Sequence, residues 1–315
     1  MPKVSVIIPV YKAEKYINRC LDSLFRQSID NIEYIFIDDK SPDNSIQLIT
    51  ESLHKYPNRI GQVKIIRNDK NLGVGDSRQK GVDNASGEYV IHCDPDDWVD
   101  ENMYELLYKK AIEEKAEIVL CDYIIEKYNN QEIVSLKVDH CTSRYLVAAL
   151  VKGRIHGSLC NKLVKRELLT KNNIRFIQGL NICEDLIMCI KILSHDITIS
   201  YFPHALYHYD QVSNPGSLSS FNSGHGKDQL LKWKEGLKES IGDTNSINYC
   251  TGICYNAYWA FTHNTFTTNE YLKLYFPEII RFIKSERNII EKMLSLLSAI
   301  GLKYPLFWLY KLLKY

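Results

Sequence analysis

The chain holds 315 residues, 45% hydrophobic and 24% charged, which suits one large or two ordinary domains with a real core and excludes a disordered chain. Lysine and arginine number 39 against 38 aspartates and glutamates, so no overall field attracts nucleic acid and any anion must be bound locally. Nine cysteines without a CxxC pair argue against a disulfide framework or zinc site and for a reducing, cytoplasmic compartment; neither a signal peptide nor a bilayer-spanning run is expected.

Val4-Ser5-Val6-Ile7-Ile8 reads as a buried strand ended by Pro9, after which Ile17, Cys20, Leu21, Leu24 and Phe25 recur at helical spacing. Tyr34-Ile35-Phe36-Ile37 predicts a second strand stopping at Asp38-Asp39, and Ser41-Pro42-Asp43 opens a helix carrying Ile46 and Ile49. Val63-Lys64-Ile65-Ile66 is a third strand, Asn71-Leu72-Gly73 a loop, the stretch around Arg78 a helix and 89–92 a fourth strand. This alternation predicts an α/β fold with a mostly parallel central sheet and helices on both faces. Ligands of such sheets sit beyond the carboxyl ends of the strands, which sends Tyr11, 38–39, 71–78 and 94–97 to one crevice. From about 116 the pattern loosens into short strands and helices, with loops at 153–161 and 177–181 and a helix at 183–193. That helix places Leu186, Ile187, Ile190 and Leu193 on one face. The stretch 213–227, rich in Ser, Asn and Gly, reads as a loop, and the remainder as a helical C-terminal region.

The densest chemistry lies in Cys93-Asp94-Pro95-Asp96-Asp97-Trp98, directly after a strand. Proline disfavours the α region for the residue before it, so Asp94 is expected to be extended, with Asp94 and Asp96 aimed at one spot and Asp97 elsewhere. Two converging carboxylates suit Mg or Mn, which complete their shells with water and substrate phosphates. A solvated acidic loop capping the next helix is the alternative for this motif taken alone. An EF-hand is excluded, since Trp98 replaces a ligand and Val99 the required glycine.

After the first strand, Pro9-Val10-Tyr11-Lys12-Ala13-Glu14 contains no glycine, which rules out a dinucleotide fingerprint and a P-loop. The loop offers instead an aromatic, Tyr11, beside the acceptor Glu14, while Asp39 can accept from a pyrimidine N3–H. Packing of Tyr11 and helix capping by Asp38 or Asp39 remain the structural alternatives.

Taken in order, these segments resemble the inverting family-two glycosyltransferases of the GT-A fold. The stretch from Val4 through Pro9 and Tyr11 to Glu14 is similar to that family's opening strand and loop; Ile37-Asp38-Asp39-Lys40-Ser41-Pro42-Asp43 is similar to its second-strand motif, with Lys40 where glycine is usual. Asn71, Gly73 and Arg78 resemble its next loop and helix, Asp94-Pro95-Asp96-Asp97-Trp98 its metal and donor motif, 157–163 its acceptor-side segment, and Cys183-Glu184-Asp185 its catalytic acidic pair. The resemblance covers about 3–220.

It implies a GT-A fold divided as 1–115 (nucleotide-sugar half), 116–220 (acceptor half) and 221–315 (helical region). It also implies transfer of a sugar from a nucleotide-sugar donor, UDP-linked, to an acceptor hydroxyl with inversion, in surface polysaccharide or glycan assembly. Asp185 is then the candidate base, with Asp94 and Asp96 on a divalent metal (Mn or Mg). Pro9, Tyr11, Glu14, Asp38, Asp39, Asn71, Gly73, Arg78, Asp94 and Asp96 would line the donor site, Arg78 either meeting phosphate or anchoring neighbouring carboxylates. The acceptor would be a glycan or lipid-linked glycan. A catalytically degenerate glycan-binding protein and a nucleotidyltransferase are the alternatives; the latter would usually need a glycine-rich phosphate loop. In Tyr207-His208-Tyr209-Asp210-Gln211 the family often has a basic residue where Asp210 stands, and His208 is a further candidate for metal or phosphate. The apolar and basic tail 306–314 suggests peripheral contact with the inner face of a membrane.

Overall fold

The computed structural model describes residues 1–138, 141–214 and 226–244, with short stretches between 246 and 275. The tail 306–314 and most of the loop expected at 213–227 lie outside the described residues. The first compact unit comprises 1–146 and 156–220, the second 147–155 and 221–315.

In chain order the elements are β1 (Val4–Val10), α1 (Ile17–Phe25), β2 (Ile32–Asp38), α2 (Ser45–Leu53), β3 (Val63–Arg67), α3 (Val74–Asp83), β4 (Tyr89–His92), β5 (Trp98–Val99) and α4 (Met103–Glu113). There follow β6 (Ile118–Glu126), β7 (Gln131–Val134), α5 (Ser143–Val151), β8 (Lys162–Lys165), α6 (Arg166–Lys171), α7 (Glu184–Leu193), β9 (Ile199–Asp210) and α8 (Lys227–Ile241). A nine-stranded sheet runs β3-β2-β1-β4-β8-β6-β9-β5, with β7 paired to β6. The expected parallel pairing holds through β3-β2-β1-β4. Beyond it the sheet is mixed: β8 is antiparallel to β4 and to β6, and β9 is parallel to β6. Two reversals restore direction, so β9 runs with β1, and Val10, Asp38, His92 and Asp210 all end at one edge.

Period-two alternation decides which helix covers which face. Val4, Val6, Ile8 and Val10 join the core formed with Ile17, Cys20, Leu21, Leu24 and Phe25 of α1, the five positions the helical spacing named. Ile7 points the other way, where Gly81 of α3 lies so close that an added Cβ would stand 2.3 Å from its Cγ2. Burying each such large aliphatic side chain contributes roughly 1.5–3 kcal/mol.

Pro9 does not end β1, which continues to Val10 beside Asp38. The carbonyl of Ile7 accepts from Cys93 N–H on the β4 side, and Pro9, two residues on, turns its nitrogen the same way, past the end of β4 at His92. Its missing N–H therefore costs no ladder bond. Buried Glu33 clamps the strand bases, accepting from Lys64 Nζ at 2.7 Å, Ser86 N–H at 2.6 Å and Gly87 N–H at 3.0 Å.

Within the second unit, α8 buries Leu230, Trp233, Gly236 and Leu237, and a Cβ at Gly252 would meet Leu237 Cδ2 at 2.5 Å. Among the described residues no helix is long and apolar enough to cross a membrane.

Candidate active site

Side chains of the β2–α2 turn organise the glycine-free loop after β1. Lys12 N–H donates to Ser41 Oγ at 2.8 Å, Ala13 N–H to Ser45 Oγ at 2.9 Å and Glu14 N–H to Asp43 Oδ2 at 3.1 Å. Glu14 answers by accepting the N–H of Asn44, the residue before α2, at 2.9 Å. Its carboxylate thus shapes the loop, while Tyr11 stands exposed with Lys12 Nζ 5.2 Å from its ring centroid. Lys40 occupies the left-handed region at φ 58°, so the turn keeps the conformation glycine would supply, at the steric cost of a side chain.

Asp38 and Asp39 brace the two turns beside this loop. Asp38 Oδ1 accepts Ser41 N–H at 2.8 Å. Asp39, buried, accepts Leu72 N–H and Asn68 Nδ2 on Oδ1 and Gly73 N–H on Oδ2, each at 2.8 Å. Asn71 is exposed on that loop. Gly73, at φ 90°, lies against Asn181, and a Cβ on Gly75 would stand 2.2 Å from the Leu180 carbonyl oxygen. The 71–75 loop is thereby locked to the segment leading into α7.

The acidic motif does not adopt the extended chain expected of Pro95. Asp97 N–H donates to the Asp94 carbonyl at 3.1 Å, so 94–97 is a turn. Asp97 does point elsewhere: it is buried and accepts the Tyr207 hydroxyl and, at 2.8 Å, the Asp210 N–H. Burial, reinforced by Asp96 and Asp94, drives it well above the ordinary carboxylate range. Asp96 Oδ2 accepts from Asn214 Nδ2 at 2.8 Å; burial and then Asp94 raise the Asp96 carboxyl to about 6.

Arg78 joins this turn to α7. Its guanidinium, 6% exposed, donates through Nη2 to Asp94 Oδ1 at 2.7 Å and through Nη1 to Glu184 Oε1. Of the two roles open to it, the geometry is that of an anchor between carboxylates. Asp185 falls in the first turn of α7 as expected; its Oδ1 accepts Leu186 N–H at 2.7 Å, and the helix N-terminus stabilises negative charge there. Sequence reasoning missed His156, next to the Gly157 whose Cβ would clash with Leu186 of α7. The His156 ring packs 5.8 Å from Tyr123 and 6.3 Å from Tyr209, and Nδ1 accepts Ser158 N–H at 3.2 Å, which leaves the proton of the neutral ring on Nε2.

Asp210, in place of the family's frequent basic residue, binds a basic one from elsewhere: Arg19 of α1 donates to its Oδ2. The same guanidinium lies 3.4 Å from the Trp98 ring centroid, and His208 stacks on that ring at 5.0 Å. His208 meets Glu126 through Nδ1 at 2.7 Å and Asp100 through Nε2 at 3.1 Å, so neither nitrogen serves a metal or phosphate.

Among the described residues no group of three or more His, Cys, Asp and Glu side chains forms a metal cage. Asp94 and Asp96 nonetheless fit a hard cation by the chemistry of their donors: carboxylate oxygens, and mutual repulsion that raises the Asp96 carboxyl and that a cation would relieve.

A family model for Glycosyl transferase family 2 matches residues 5–172, more than half of the chain. EpsH of Bacillus subtilis, a glycosyltransferase by name, is 34% identical over 215 residues, covering 66% of this chain and 60% of EpsH. The match therefore spans less than two thirds of that relative. The cholesterol galactosyltransferase of Borreliella burgdorferi is 29% identical over 316 residues, 95% of this chain and 83% of that one. In fold, the chain is similar to S. aureus TarS in complex with UDP-GlcNAc, with a TM-score of 0.67 at 20% identity over 98% of this chain and 90% of TarS. The chain belongs to glycosyl transferase family 2 and has its GT-A fold.

Proposed function

We propose that this protein transfers a sugar from a nucleotide-sugar donor, UDP-linked, to a hydroxyl of a glycan or lipid-linked glycan, with inversion, in surface polysaccharide or glycan assembly. The observation that carries this reading is Arg78: one buried guanidinium grips Asp94 of the donor motif and Glu184, next to the candidate base Asp185. Residues 16 and 106 positions from Arg78 are thus held together, as single displacement of a leaving diphosphate by an activated hydroxyl requires.

In this reading Tyr11 covers the nucleobase. Asp39 Oδ2, with one N–H bound, keeps a lone pair for a pyrimidine N3–H. Pro9, Glu14, Asp38, Asn71 and Gly73 fix the walls of that pocket. Asp94 and Asp96 would hold a divalent cation, which when bound supplies positive charge to the departing diphosphate. Asp185 uses one carboxylate oxygen on its own helix, leaving the other to take the acceptor's proton.

The test is a thermal-shift panel of nucleotide sugars with Mn, since a donor that binds only the folded state raises stability by mass action. It is followed by transfer assays on two variants. Asp96→Asn should lose the metal response and most turnover, and full activity in excess EDTA would remove the metal. Asp185→Asn should fold and bind donor but transfer roughly 10²- to 10⁴-fold more slowly. If Asp185 were only a cap, stability would fall by about 1 kcal/mol and turnover would stay.

A further inference from the structure

Arg19 has no part in the reading above, and its environment is unusual for a surface arginine. It lies on α1, whose first turn follows β1 at the sheet edge shared by Asp38, His92 and Asp210. Three residues earlier, and so on the same face of the chain as it enters α1, Tyr16 is raised to about 12 by burial and then by the charges of Asp96 and Asp43. The Arg19 side chain itself reaches Trp98, two residues after Asp96, and Asp210, whose N–H binds Asp97, which sets it at the rim of the acidic turn.

Two contacts fix it there. Nη2 binds Asp210 Oδ2, and the guanidinium plane lies on Trp98. Asp210 does not need it: its Oδ1 already accepts Val212 N–H at 2.7 Å and Ser213 N–H at 3.1 Å. The Arg19 side chain is 45% exposed, and among the described residues Nε and Nη1 have no partner. An ion pair so exposed adds little to stability by itself. Arg78, by contrast, is buried with both Nη groups committed to carboxylates, and cannot turn toward an incoming anion. The fork geometry of a guanidinium allows one edge to stay on Asp210 while the other meets a phosphate.

We propose that Arg19 binds the diphosphate of the nucleotide donor, with Trp98 and Asp210 holding its guanidinium ready at the rim beside Asp96. The inference rests on the nucleotide-sugar reading of the site and adds a residue and a ligand group to it. A charged ligand so placed neutralises part of what the carboxylates of Asp94, Asp96 and Asp210 would otherwise repel.

Calorimetric titration of UDP and of uridine, each with Mn, into the full-length protein and its variants tests it. Arg19→Gln should weaken UDP binding about tenfold to a hundredfold while uridine binding stays within about twofold, and Arg19→Lys should recover part of the loss. Asp210→Asn loosens the guanidinium and should weaken UDP binding by less than Arg19→Gln does, since Trp98 still holds it. UDP affinity unchanged in Arg19→Gln, or uridine lost in parallel, overturns the proposal. So does a loss of UDP in Asp210→Asn matching that in Arg19→Gln, which would make the pair structural. If the wild-type protein binds no nucleoside diphosphate, the nucleotide-sugar reading itself fails and Arg19 falls with it; if it binds UDP and Arg19→Gln does too, Arg19 alone is misassigned. Melting temperatures of all variants should lie close to wild type, which separates loss of ligand from loss of fold.

Discussion

Replacing Arg78 by methionine tests the junction on which the site depends. Methionine keeps the length of the stem and removes the charge, so Asp94 and Glu184 lose their shared partner. The Glu184 side chain is only 7% exposed and the Asp94 side chain 30%, which places most of the damage at Glu184. Breaking a buried pair by removing one partner costs about 3–5 kcal/mol, because the remaining charge has nowhere to go. The loss should depend on pH. Burial already pushes Glu184 up to about 7 against the pull of Arg78, and without Arg78 it rises further. An acid whose folded pKa is raised is destabilising in full above that value, and the penalty fades as pH falls toward the unfolded value of about 4.3. Urea unfolding followed by far-UV circular dichroism at pH 8 and pH 5.5 should therefore give a larger deficit at the higher pH. The double variant Arg78→Met with Glu184→Gln should recover stability at pH 8. A deficit below about 1 kcal/mol at both pH values, or no recovery in the double variant, would refute the reasoning.

Glu33 gives the opposite pH signature. Burial raises its carboxyl, but the salt bridge to Lys64 and the hydrogen bonds from Ser5 and Ser86 prevail and hold it below its ordinary value. Its contribution is complete above an unfolded value of about 4.3 and disappears as pH falls through the lower folded value; Glu33→Gln should cost about 1–3 kcal/mol at neutral pH, with the gap closing in acid denaturation below about pH 4. Gly75→Ala should destabilise by about 1–3 kcal/mol in the same urea assay, because its Cβ would meet a backbone oxygen at 2.2 Å. Helix propensity alone predicts a gain of up to about 1 kcal/mol there, so the sign of the measured change decides whether α3 is locked to 180–181. Lys40→Gly should stabilise by up to about 1 kcal/mol, by relieving a side chain at φ 58°, and a loss of stability would show that Lys40 is held by contacts.

Much of the first unit was legible because its signals are local. The α1 stripe from Ile17 to Phe25 and the strand ends at Asp38 and His92 follow from period and punctuation. β9 was not legible as one twelve-residue strand, since Pro203 and the bulged register against β6 interrupt its alternation. The acidic motif itself was legible, but its backbone was not: the extended chain preferred before proline gave way to the turn closed by Asp97 N–H. The pairing of Arg19 with Asp210 spans 191 positions and leaves no mark in either neighbourhood, and the same holds for Arg78 and Glu184 across 106. Side-chain pairs of that separation depend on how strands are ordered in the sheet, which the antiparallel insertion of β8 decides.

That insertion also concentrates more carboxylates at one edge than the arginines there can match, and each is relieved differently. Asp97 is buried against Tyr207 and the Asp210 backbone, Asp94 and Glu184 share Arg78, and Asp210 has Arg19. Asp96, like Asp97, meets neutral partners, but where burial drives Asp97 well above the ordinary carboxylate range, the Asp96 carboxyl is raised only to about 6 and is met by the amide of Asn214. A cation gains most where repulsion is least relieved and where no bound guanidinium must first be displaced. Asp94 fails the second condition on one oxygen, since coordination through Oδ1 would have to compete with Arg78. The two aspartates are therefore unequal despite their adjacent positions: Asp96→Asn should remove the proposed cation affinity and spare the fold, whereas Asp94→Asn should also disturb the guanidinium that ties this turn to α7, so that its phenotype would mix donor binding with displacement of the proposed base.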